Sequence, residues 1–288
     1  MRGRGYPLAG IGCMVAATSV FAVMDALVKA LMADYPVVEV LFFRAAFAFL
    51  PLAPLLWAAG RTALVTARPW AHVVRSSIGI AAITAFFLAF GALPLAQVTA
   101  IAFAAPLLMT ALSVPVLGEV VEPKRWAAVI LGFAGILLIT RATPPAAGLG
   151  LTAALAGTLL YAVVMVLIRQ MSTTERPVTI VAWFTIACTV GSGLALPWHW
   201  VTPTLQDGML LASVGVLGGL GQILITQALR LAPVSTVAPF DYLHMVYAVA
   251  FGWLFWGEVP DPRMLAGAGL IVACGLYVLH REARKPSA

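Results

Sequence analysis

Charge is what this sequence has least of. Only 10% of its 288 residues are Asp, Glu, Lys or Arg, while 62% are hydrophobic; a soluble domain carries about 25% charged residues. That deficit excludes a soluble enzyme or binding module. Cysteine is also scarce, with Cys13, Cys188 and Cys274 each inside an apolar run and far from one another. Such thiols form neither a disulfide framework nor a zinc knuckle, and they read as small packing groups. Catalytic signatures are missing as well. There is no HExxH, no GxSxG and no phosphate loop, so no enzyme activity, no ATP-driven pumping, no metal and no cofactor are expected of this chain alone. No Ser/Pro/Gly linker separates two soluble domains.

What the chain does have is apolar runs from end to end. They span Leu8–Met32, Val37–Ala59, Trp70–Gly91, Leu95–Leu117, Trp126–Thr140, Gly148–Arg169, Val178–Pro197, Asp207–Leu229, Val234–Trp256 and Met264–His280. Most approach the ~20 residues that a bilayer crossing needs, and none alternates as a barrel strand does. The expected fold is an all-α membrane protein of ten transmembrane helices. The first run continues through Ala30, too long for a signal-peptide core, so it is read as a retained span.

The net charge of +6 invites a nucleic-acid partner, but the bases sit in short loops and at both ends. They read instead as orientation signals and contacts with anionic lipid. With ten spans, Lys29, Arg44, Arg141 and Arg263 fall on one side, and all other bases, Arg75 among them, fall with the termini. That bias predicts cytoplasmic termini.

The chain also reads as one unit written twice. Phe87–Glu119 and Thr226–Glu258 share a Pro after a short loop (Pro94, Pro233), a long apolar run and a closing Gly-Glu (Gly118-Glu119, Gly257-Glu258). Pro36 falls against Pro177, Lys29 against Arg169, and Pro123 against Pro262. The halves, 1–142 and 143–288, hold five spans each. Five is odd, so the second half enters the membrane inverted. Inverted repeats are the architecture of many secondary transporters, with the solute site near midplane at the repeat interface; a channel or scaffold would also be compatible.

Several polar groups lie within the apolar runs, where a carboxylate disfavours insertion by about 2.5–3.5 kcal/mol. Asp241, His244 and Tyr247 share one helix stripe. The Asp–His pair could relay protons, hold a solute ammonium, or only bridge two helices. Thr99, Phe103, Pro106, Thr110 and Ser113 read as a cavity wall or as small-residue packing. Gln222 follows a glycine stripe and reads as helix glue or solute contact. Phe86, Phe90 and Tyr161 are candidates for an apolar pocket. Asp25 and Arg44 fall at similar depth, so an ion pair between them is expected, with Lys29 snorkelling at its helix end. Glu119 and Glu258 read as solvated or paired loop residues. So few intramembrane cations argue against phosphate-bearing solutes.

Ten spans, the five-span duplication, Lys29, Pro36, Arg44 and the two Gly-Glu closures together resemble the drug/metabolite transporter superfamily. The likeness covers nearly the whole chain and is greatest to its EamA-type ten-helix branch, in particular the YddG-like exporters of aromatic and neutral amino acids. It implies a small-molecule carrier of the bacterial cytoplasmic membrane working by alternating access, compatible with a monomer. Runner-up solutes are S-adenosylmethionine and cationic drugs or metabolites; a channel or an intramembrane enzyme is the rival of another class. Met245 stands where the first copy has Pro106, so a kink in the ninth span must come from Pro239.

Overall fold

A backbone surrounded by lipid must bond to itself, which leaves apolar runs little choice but the helix. In the computed structural model, which describes residues 7–117, 123–142, 147–232 and 234–283, helices dominate and no strand occurs among the described residues. They are α1 (Pro7–Leu31), α2 (Val37–Ala59), α3 (Pro69–Ala92), α4 (Leu95–Ala102), α5 (Ala105–Leu117), α6 (Pro123–Ala142) and α7 (Gly148–Met171). Then follow α8 (Pro177–Ala195), α9 (Leu205–Leu231), α10 (Val234–Val237), α11 (Leu243–Trp256) and α12 (Pro262–Ala283). Among the described residues seven stretches are long and apolar enough to cross a bilayer, and 126–141 and 262–278 are shorter apolar helices. The chain is a multi-pass membrane protein.

Two of the ten crossings are not the continuous helices expected from sequence. The fourth breaks between α4 and α5, where Pro106 has no N–H to offer the Ala102 carbonyl one turn back. The ninth is α10, a 3-10 turn at Ala238–Tyr242 holding Pro239, and α11. Pro239 thus stands in the break of the second copy, as Pro106 borders that of the first.

The helices pair across the two halves. α2 lies against α8, α6 against α12, and α4 against α11. These are equivalent spans of the two copies, and each pair runs antiparallel. At one end of α2 the Arg176 guanidinium donates to the Thr62 hydroxyl at 3.0 Å; at the other, the Val201 N–H donates to Glu39 Oε2 at 3.0 Å. α1 packs along α9, and α3 along α7, a relation that exchanging the halves reproduces. The bundle therefore has an approximate two-fold axis, with the halves inverted. We call the end bearing residues 7 and 283 the terminal face, and the other the far face.

Close approach is built from small residues. A Cβ placed on Gly215 would lie 2.5 Å from Phe47 Cβ and 2.6 Å from the Phe43 carbonyl oxygen, so α9 and α2 touch backbone to backbone only because that position is glycine. Gly135 and Gly267, facing each other across α6 and α12, are equally tight.

At the terminal face, between α7 and α8, Glu175 fastens the loop before α3. Its Oε1 accepts from the Thr66 hydroxyl at 2.8 Å and the Ala67 N–H at 3.2 Å. The Thr66 bond above all, then that of Ala67, holds this carboxyl below its ordinary 4.5, with burial acting in the opposite sense. A lowered folded pKa contributes stability above the ordinary value and loses it as pH falls through the folded one. Thermal stability is therefore expected to decline below pH 4.5, and Glu175→Gln to flatten that decline in melting curves taken across the range.

Candidate functional site

The two breaks meet. Phe103, at the end of α4, packs edge-to-face on Tyr242, with ring centroids 4.9 Å apart. These residues are equivalents in the two copies, so the contact marks the approximate axis. Around it the copies differ: the second carries Asp241 and His244 where the first has Ala102 and Ala105. The symmetric frame therefore presents an asymmetric set of polar groups.

Asp241 sits in the 3-10 turn, about 10 Å along its span, and is nonetheless exposed. A carboxylate at that depth needs a wet or protein surround rather than lipid. Its neighbours agree, since it lies within electrostatic reach of Tyr161, Tyr242 and His244. Tyr161 of α7 is 41% exposed and meets Phe86 of α3 edge-on, with centroids 6.4 Å apart. Phe103 thus packs on Tyr242 and Phe86 on Tyr161, and both tyrosines, with His244, are within electrostatic reach of Asp241.

His244 turns its Nε2 to Asp25 Oδ2 of α1, 3.1 Å away; that nitrogen carries the hydrogen when Asp25 is ionised. One turn on, Tyr247 accepts a hydrogen bond from the Ser19 hydroxyl at 3.0 Å and stacks on Phe251. The stripe His244–Tyr247 thus joins α11 to α1. The expected Asp25–Arg44 pair is not formed, because Asp25 is engaged by His244. Instead Arg44 has a buried Nε without a hydrogen-bond partner.

Lys29 does not snorkel either. Its ammonium donates to the Leu93 carbonyl at 2.6 Å and pairs with Glu258 Oε1 at 2.9 Å, and the other Glu258 oxygen accepts the Leu95 N–H at 2.9 Å. Two charges thereby tie α1, the α3–α4 turn and the end of α11 together at the far face. Beside them is a cavity of about 360 Å³ lined by Pro94, Gln97, Gly252 and Asp261 among others. Glu119, the counterpart of Glu258, lies outside the described residues.

Other candidates stand apart. Thr99 is buried and donates back to the Leu95 carbonyl at 3.0 Å. Phe90 is buried in the apolar core near Lys29, and Gln222 is exposed on α9, outside the contacts that join the group around Asp241. Arg75, expected among the loop bases, is only 7% exposed within α3. It lies about 9 Å inside the helix that begins at Pro69. Among the described residues no group of three or more His, Cys, Asp or Glu is placed to hold a metal.

Comparison with known proteins follows the same lines. A family model described as the EamA-like transporter family matches residues 8–141 and again 148–279. A riboflavin transporter of Rhizobium johnstonii is 32% identical over 254 residues, 87% of this chain and 83% of the relative. A pseudopaline exporter of Pseudomonas aeruginosa is 31% identical over 271 residues, 92% of this chain and 94% of the relative. An S-adenosylmethionine uptake transporter of Rickettsia bellii is 26% identical, covering 86% of each chain. A solved crystal structure superposes with a TM-score of 0.65 at 19% identity, over 96% of this chain and 99% of the other.

Proposed function

The chain belongs to the EamA-like transporter family, and from that premise we propose a carrier that exports a small organic solute across the bacterial cytoplasmic membrane by alternating access. It is a transporter and not an enzyme, as its named relatives are. In this reading residues 1–142 and 143–288 are the two inverted repeats, both termini face the cytoplasm, and the solute binds where the broken spans meet.

One observation carries the reading of the site: Asp241 is exposed at depth, among Tyr161, Tyr242, Phe103 and Phe86. A carboxylate attracts a cationic group, and tyrosine and phenylalanine rings accept both a flat apolar group and a cation on their faces. His244, held by Asp25, and Tyr247 complete the wall toward α1. An aromatic or neutral amino acid offers an ammonium and, in the aromatic case, a ring, and this is the solute class we assign. A second reading, S-adenosylmethionine or a related cation, draws on the same carboxylate and rings and on the Rickettsia relative. The riboflavin transporter makes that flat heteroaromatic solute a third member of any test.

Purified protein in liposomes loaded with labelled phenylalanine, tryptophan, S-adenosylmethionine or riboflavin distinguishes these. Saturable efflux of an aromatic amino acid, accelerated by unlabelled solute on the opposite side, is the expected result. Saturable movement of S-adenosylmethionine or riboflavin alone would reject the amino-acid assignment. Flux rising linearly with concentration would replace the carrier by a channel.

A further inference from the structure

A histidine stands between two carboxylates inside the bundle. On one side His244 Nε2 is 3.1 Å from Asp25 Oδ2 of α1, and both side chains are largely enclosed. On the other, Asp241 lies three residues earlier, in the 3-10 turn that leads into α11. That spacing puts the two side chains on one face, about 5–6 Å apart. Arg44 approaches from α2. A Cβ placed on Gly218 of α9 would lie 3.3 Å from Met24 Sδ and 3.7 Å from Arg44 Nε, which sets the arginine beside the residue preceding Asp25. Arg44, Asp25, His244 and Asp241 thus follow one another in a row.

The elements packed around this row add little charge. α4, which lies on α11, carries no ionisable residue from Leu95 to Ala102. α11 itself adds Tyr247, bonded to Ser19, and Lys29, one turn beyond Asp25 on α1, is bound by Glu258. Tyr242 and Tyr161 stand within electrostatic reach of Asp241. Of the helices packed on its turn, α10 carries no ionisable residue and α1 brings Cys13. α12 brings Cys274, with Tyr277 and the exposed His280 further toward the terminal face. Of all these residue types, only histidine ordinarily changes its charge between pH 5 and 8.

With His244 neutral, Arg44 offsets one carboxylate and one negative charge is left over. An uncompensated charge within the membrane is disfavoured. Two cations can cancel it, a proton on His244 or the cationic group of a solute at Asp241. Because Nε2 is committed to Asp25, that proton enters and leaves at Nδ1. Both cations together would stand roughly 6 Å apart, so each lowers the affinity for the other. We propose that His244 is the proton-binding group of the carrier, and that a proton there and a solute cation at Asp241 displace one another. The inference rests on Asp241 as the solute site, and it adds the proton as a second cargo. Under alternating access a cation released into one compartment is replaced by a proton from it, and the group returns without excess charge.

The test reads binding and protons together. Detergent-purified wild type, His244→Gln and His280→Gln are titrated from pH 5 to pH 8 with phenethylamine, a cation throughout, and with the neutral 2-phenylethanol. Calorimetry gives the dissociation constant at each pH, and an indicator dye in weakly buffered solution counts the protons released. In the wild type and in His280→Gln the amine is expected to bind roughly 10- to 100-fold more weakly at pH 5 than at pH 8, releasing protons within that range. The alcohol shows neither effect. In His244→Gln the amine affinity becomes level across the range and the release disappears. A level affinity without proton release in the wild type overturns the proposal, as does a pH response retained by His244→Gln. Should that variant fail to fold, His244→Asn replaces it, and the wild-type proton count still decides whether exchange occurs. Amine binding without proton release leaves Asp241 standing as the solute site, while no amine binding at any pH removes both readings.

Discussion

Asp241→Asn is expected to lower the carrier's apparent affinity for a cationic solute by roughly 10- to 100-fold, the effect of removing one charge-assisted contact. The reasoning is local. Asp241 is exposed at depth, and among the described residues no basic side chain pairs with it directly, since His244, the basic group within electrostatic reach, is bonded to Asp25. The asparagine keeps shape and polarity and loses only charge. Folding should survive, because an uncharged amide is easier to hold within a membrane protein than a carboxylate. The measurement is concentration-dependent uptake into liposomes for an amine-bearing aromatic solute and for a neutral analogue lacking the amine. The amine-bearing solute should lose affinity and the neutral one should not. Equal losses for both would mean that Asp241 supports the fold instead of contacting solute.

Lys29→Met is expected to destabilise the protein by about 3 kcal/mol, the order seen when one member of a buried pair is removed. Both side chains are largely enclosed, at 10% and 18% exposure, so solvent screens little of the loss. The ammonium also serves the Leu93 and Phe90 carbonyls, which the methionine leaves without their donor. Glu258→Gln should be milder, since an amide oxygen can still accept from the Leu95 N–H. The double variant should fall short of the sum of the singles, because each removes the same attraction. Thermal unfolding gives that cycle. A cysteine introduced at Gln97, beside the far-face cavity, should meanwhile react faster with a polar thiol reagent in Lys29→Met. Additive losses with unchanged labelling would reduce the pair to an independent surface contact.

How much of this was legible beforehand follows from what sequence patterns can sense. Apolarity and length locate the crossings to within a few residues, because the bilayer imposes both. The same property hides the breaks at 103–104 and 238–242, since Phe103 and Pro239 lie among apolar neighbours and hydropathy does not register a missing N–H. Pro106 and Pro239 carried that information in their ring chemistry. Side-chain partners were harder. Asp25 matched Arg44 in depth, yet depth says nothing of azimuth, and α11 brings His244 to Asp25 first. Lys29 stands near its helix end, a position that reads as snorkelling, and its partner Glu258 is remote in the chain. Arg75 follows Pro69 by only six residues, so position alone groups it with the bases of the terminal face.

The contact of Phe103 with Tyr242 has one more consequence. Two halves meeting at equivalent residues would, if chemically alike, give inward- and outward-open forms of equal energy. Asp241 and His244 opposite Ala102 and Ala105 remove that degeneracy, so under the proposed alternating access the empty carrier is expected to spend unequal time facing each compartment. A passive carrier of this kind must show different half-saturation concentrations on its two sides. Detailed balance nevertheless fixes the ratio of maximal rate to half-saturation concentration to be the same in both directions. On the proposed reading, net direction would then come from the gradients that the cell maintains, and the unlike halves would decide only at which concentration each side saturates.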